Sequence, residues 1–133
     1  MGRTRTHPPA GIVLDTGALI ALDRGDKRMI ALLQRALIQG RALRVPAGVV
    51  GQAWRDGRLQ VTLARFLRSE EVDIVPLDEH LARSCGELCA AVDLPDVIDA
   101  SVVILARERR APIVTSDPND LRRLDPGAQI IPV

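Results

Sequence analysis

The chain is 133 residues long, with 47% hydrophobic and 26% charged residues and a formal net charge of +1. That length suits one domain with a real core, and the balance excludes a disordered chain or a broadly cationic nucleic-acid binder. No apolar run reaches the ~20 residues of a membrane span, and Trp54 and Phe66 are too few aromatics for a base-stacking platform.

Residues 1–10, MGRTRTHPPA, carry neither the apolar stretch of a signal peptide nor a myristoylation signal. They read as a flexible lead-in to a single domain over 11–133. GIVLD (11–15) predicts a first strand that ends on Asp15, with a helix over 17–23. In DKRMIALLQRALIQG the apolar residues recur at helical period, which predicts a helix over 26–39 stopped by Gly40. LRVP (43–46) is the second strand candidate, followed by helical patterns over 48–56 and 58–69.

VDIVPL (72–77) gives a third strand and LDEHLARSCGELCAAV a helix over 78–91, with Asp78 as its N-cap. Cys85 and Cys89 lie one turn apart on it, and neither His7 nor His80 is in register to complete a zinc site. They read as thiols of a reduced, cytoplasmic protein. DVIDASVVILARERR predicts a helix over 96–110 that is apolar almost all round, hence buried against the sheet and against a second subunit. APIVTSD (111–117), a helix over 118–124 and AQIIPV (128–133) complete the alternation. The expected fold is a three-layer α/β/α domain around a central parallel sheet of about five strands.

Charged residues interrupt this pattern at telling places. Asp15 and Asp117 end strands, and Asp96 opens the apolar helix with Asp99 three residues on, on the same helical face. In an open parallel sheet, ligands bind beyond the carboxyl ends of the strands. Each aspartate taken singly is explained as a helix cap, Asp117 before Pro118 most plainly. Crowded together, they repel unless a cation sits between them. Oxygen donors of this kind suit Mg²⁺ or Mn²⁺, ions that activate water and neutralise phosphate charge.

At these residues the sequence resembles the PIN-domain ribonucleases, and among them the VapC toxins of bacterial toxin–antitoxin pairs. IVLDTGALIALD, VPAGVVGQAWRDGR, LPDVIDASVVILAR and IVTSDPNDLRRL carry the resemblance, which spans nearly the whole chain after residue 10. It implies a Mg²⁺-dependent endoribonuclease, Mn²⁺ being an alternative ion, with Asp15, Asp96 and Asp117 as metal-binding catalytic residues. It ranks Asp99 second and gives Thr16 and Thr115 supporting roles beside the metal. It also implies an RNA substrate, a small antitoxin over the cleft and a homodimer. One position departs from the pattern: Gln52 stands where family members usually carry glutamate, which predicts weaker metal binding partly offset by Asp99.

All basic residues except Lys27 are arginine, the side chain suited to forked phosphate contacts. Arg55, Arg58, Arg109 and Arg110 are the candidates to steer an RNA backbone, with solvated surface charge, or a GC-rich coding bias, as the plainer explanation. Gln52 favours a competing function, a PIN-like module that binds RNA or antitoxin without cleaving. A phospho-accepting receiver domain would need a lysine after a late strand, and Lys27 is in the wrong place for it.

Overall fold

The computed structural model describes residues 10–133, so the expected lead-in lies almost wholly outside the described residues. In chain order the elements are β1 (Ile12–Leu14), α1 (Thr16–Asp23), α2 (Lys27–Ile38), β2 (Leu43–Pro46), α3 (Ala47–Ala53) and α4 (Val61–Leu67). They continue with β3 (Val72–Val75), α5 (Glu79–Val92), α6 (Val97–Arg109), β4 (Ile113–Thr115), α7 (Pro118–Leu124) and β5 (Ile130–Pro132). The five strands form one all-parallel sheet in the order β3-β2-β1-β4-β5.

β1 is the central strand, and Ile12, Val13 and Leu14 are all buried, as a strand covered on both faces requires. From β1 the chain winds one way to β2 and β3, then returns past β1 to add β4 and β5. Right-handed crossovers therefore put α1–α4 on one face and α5–α7 on the other. Most helix contacts follow this division, α1 packing with α2, α3 and α4, and α6 with α5 and α7, while α3 also touches α6.

Local chemistry sets the helix ends. Asp26 and Asp78 accept hydrogen bonds from the amides of Met29 (2.9 Å) and Leu81 (2.8 Å), capping α2 and α5. Gly40, at φ +71°, takes the left-handed turn expected after α2, and Arg41 N–H returns to the Ala36 carbonyl at 2.9 Å. The helices expected over 48–56 and 58–69 are shorter than that, and Gln60 is the reason. Its Oε1 accepts from the amides of Arg55 (2.6 Å) and Asp56 (3.0 Å), while Nε2 donates to the Ala53 carbonyl (2.9 Å) and to Asp23 (3.3 Å). One side chain thus braces the turn that connects α3 and α4 and ties it to the end of α1.

The apolar character of α6 has an intramolecular cause. Ala100, Val102, Val103, Leu105 and Ala106 are buried between the sheet, α5 and α7. Val97 at the start of the helix is 37% exposed and Ile98 and Ile104 are only partly buried, so part of its apolar surface remains open to the second subunit expected from sequence. Cys85 and Cys89 pack on Ala100, and burial pushes both thiols up, keeping them neutral. No helix among the described residues is long and apolar enough to cross a membrane.

Replacing Gln60 with alanine strands two amides and a carbonyl in a partly buried loop. Urea unfolding of Gln60→Ala is expected to show a loss of about 1–3 kcal/mol, with α1 and α4 losing hydrogen-exchange protection first.

Candidate metal centre

The strand order reverses between β1 and β4, and the crevice at their carboxyl ends is where this class of sheet places ligands. Asp15 follows β1 directly, and its amide donates to the Val114 carbonyl of β4 at 3.2 Å. Asp117 follows β4 after Ser116. Residues about a hundred positions apart in sequence therefore meet at one edge.

A cleft of about 180 Å³ opens there, lined by Asp15, Asp99, Asp117 and Asp120 together with Thr16, Gly17, Ser116 and Leu121. Four carboxylates share it, and among the described residues no basic side chain lines it. Asp15 is buried, at 6% exposure, and one of its oxygens accepts the Ala18 amide at 2.9 Å as the cap of α1. Burial raises its pKa above the ordinary carboxylate value. Hydrogen bonds from Thr115 and from the Ala18 and Gly17 amides oppose that rise, and the charge of Asp117 reinforces it.

Thr115 is fully buried beneath this group. Its Oγ1 accepts the Asp117 amide at 2.8 Å and its hydroxyl supports the charged form of Asp15, so one side chain holds both strand-end aspartates in place. Gly17 is needed for close approach, since a methyl group there would collide with Ser116 Oγ.

The two late helices open alike, with Asp96-x-x-Asp99 on α6 and Asp117-x-x-Asp120 on α7. Asp96 Oδ1 accepts the Asp99 amide at 2.9 Å, the cap bond of α6, whereas Asp117 makes no side-chain cap bond. Burial first, then the charge of and a hydrogen bond with Asp96, then Asp15 and Asp120, push Asp99 from an ordinary 3.8 up to about 7. A hydrogen bond with Asp117 and its charge raise Asp120, and Arg123 pulls it back.

Asp99, ranked second, lines the cleft with Asp15 and Asp117; Asp96 lines the neighbouring hollow, which Asp99 shares, and raises the pKa of Asp99. Asp120 was missed, although the D-x-x-D spacing it shares with Asp96 and Asp99 was there to be read. Gln52 is exposed and outside the cleft lining, but Thr16 Oγ1 donates to its Oε1 at 2.6 Å, which brings it to the rim.

The candidate RNA-steering arginines lie elsewhere. Arg55 donates to the Gly51 (3.2 Å) and Trp54 (2.6 Å) carbonyls, and Arg58 pairs with Asp56 at 3.4 Å. Arg109 and Arg110 end α6, about 15 Å along its axis from Asp99 at 1.5 Å per residue. None of the four lines the cleft.

Residues 12–126 match the family model of the PIN domain. The chain belongs to the PIN domain family. No curated protein matches it in sequence. Solved structures share the fold: VapBC2 from Rickettsia felis, bound to a promoter DNA fragment, is 16% identical, with a TM-score of 0.69 over 92% of this chain and 98% of that one. VapC20 from Mycobacterium tuberculosis, described as a toxin cleaving the sarcin-ricin loop, is 18% identical, with a TM-score of 0.61 over 80% and 88%. A toxin–antitoxin complex from Klebsiella pneumoniae is 16% identical, with a TM-score of 0.69 over 91% and 96%.

The donor chemistry of this PIN domain fits a hard divalent cation: oxygen ligands of high charge density and, among the described residues, no competing base in the lining. Among the described residues no three His, Cys, Asp or Glu side chains close on a single point as they stand. Asp117 and Asp120 are exposed on the cleft rim, beside Asp15 and Asp99.

The raised pKa of Asp99 has a consequence for the metal-free protein. Folded Asp99 holds a proton that the unfolded chain releases above about pH 3.8, so its stabilisation is full below that value and disappears as pH rises through about 7. With chelator present, the melting temperature should fall as pH is raised from 5.5 to 8, and Asp99→Asn should flatten that slope.

Proposed function

We propose that this PIN domain is a metal-dependent endoribonuclease of the toxin kind, held in check by a small antitoxin protein. The carrying observation is the cleft at the β1/β4 switch point, with four carboxylates and, among the described residues, no basic side chain in its lining. An RNA-cleaving toxin and toxin–antitoxin complexes among the structures of the same fold support the reading. Asp15, Asp99 and Asp117 would hold the ion, Mg²⁺ or Mn²⁺, with Asp120 as a further donor and Asp96 as a positioning residue. When bound, such an ion neutralises phosphate charge and makes water a nucleophile near neutral pH.

The chain's own groups do the remaining work. Thr115 orients Asp15 and anchors the backbone of Asp117. The Asp96 carboxylate caps α6 and sets where Asp99 enters the cleft. A homodimer belongs to this proposal as well.

Asparagine caps helices as well as aspartate does, so Asp15→Asn keeps the fold while removing charge. With purified protein, structured RNA and Mn²⁺ or Mg²⁺, Asp15→Asn, Asp99→Asn and Asp117→Asn should each lose cleavage on the order of 100-fold or more, and Asp96→Asn less than about tenfold. Equal loss at Asp96 and Asp99 would refute the reassignment. No cleavage by the unaltered protein would leave the second reading, a module that binds without cutting, which Gln52 favours.

Gln52→Glu tests that residue directly. The added carboxylate, still within reach of Thr16, should tighten Mn²⁺ binding by about 3–10-fold in calorimetry. Unchanged affinity would place Gln52 outside the metal's influence.

A further inference from the structure

The acidic cleft does not end at its carboxylates. Beyond Asp99 and Asp120 it runs into a second hollow of about 130 Å³, which those two residues also line. Asp96 joins them in its lining, and what the hollow adds to the carboxylates is an apolar stretch of Leu94, Pro95 and the largely buried Leu124, with Arg123 beside it. Among the described residues, Arg123 is the only basic side chain lining either space, and it enters none of the four ion pairs.

We propose that this hollow is a nucleoside subsite: it takes the base and sugar next to the phosphate held over the carboxylates, and Arg123 takes that nucleotide's outer phosphate. The inference rests on the nuclease reading for the identity of the polymer. Carboxylates repel a bare phosphate, so one phosphate lies where the ion is and the next needs a cation of the protein's own. Arg123 supplies it one helical turn from Asp120. Between these two points an apolar wall of proline and leucine suits a sugar edge or base face and offers a second phosphate nothing. The exposed ring of Pro95 is rigid, Leu94 is half-buried and Leu124 is buried, so the surface exists before anything binds. None of the arginines expected from sequence reaches this position, for the reasons of placement given above.

The test is binding of the four nucleoside 5′-monophosphates to the full chain with Mg²⁺, followed by NMR of leucine methyls and arginine Nε–H groups. Inorganic phosphate and ribose 5-phosphate serve as comparison probes. At least one monophosphate should shift the methyls of Leu94 and Leu124 together with Arg123 Nε–H, whereas inorganic phosphate should leave the methyls unmoved. Arg123→Gln should weaken that binding about fivefold, as expected for one charged contact at an exposed site, and Arg122→Gln, which lines neither space, less than about twofold. Equal effects of the two variants, or methyl shifts produced equally by inorganic phosphate, overturn the subsite. Cleavage of RNA with no monophosphate perturbing these signals overturns the subsite and leaves the nuclease reading intact. Monophosphate binding without cleavage of any RNA does the reverse.

Discussion

Like-charge crowding at the junction of β1 and β4 is the constraint on which this molecule turns. Neighbouring parallel strands lie under 5 Å apart, so residues just past their ends are brought together whatever their distance in sequence. Here those residues are Asp15 and Asp117, and the first turns of α6 and α7 add Asp99 and Asp120. Burial of Asp15 and the raised pKa values of Asp15, Asp99 and Asp120 record the cost of holding acids there. A fold that only needed helix caps would have no reason to gather them.

The surrounding structure is arranged to bear that cost. Val13, Leu14, Ile113 and Val114 are fully buried in the two central strands, so the edge from which the acids project is rigid. Thr115 links both strand-end aspartates through one hydroxyl. Gly17 lets Ser116 pass, and Gly48 of α3 leaves room for Ile98 of α6, where a methyl group would collide. These small residues set how closely α1 and α3 approach the acid-bearing segments. The caps on Asp15 and Asp96 serve structure and site at once, since a cap bond uses one oxygen and leaves the other.

Basic residues divide by what already engages them. Arg55 and Arg58 are occupied by nearby carbonyls and by Asp56, and Arg107 pairs with Asp125 at 3.0 Å. Arg109 and Arg110 sit at the wrong end of α6. Arg123 had nothing in its sequence context to separate it from Arg122, yet helical geometry turns only Arg123 toward the carboxylates. Gln60 shows the same limit for fold detail: as one polar residue between two helical patterns it gave no sign that it would organise the connection between them.

What the amino-acid order determined alone was periodic and local. Apolar strands, helical repeats, the glycine stop after α2 and the aspartate caps are properties of neighbouring residues, and they were enough to specify a parallel α/β/α domain with acids at its strand ends. Only the tertiary structure decided which acids meet. Asp96 and Asp99 are equivalent by spacing, and Asp120 is one more charge near a cap, until packing of α6 and α7 on the sheet fixes the rotation of each helix. That rotation depends on side chains from distant parts of the chain, which no local pattern contains.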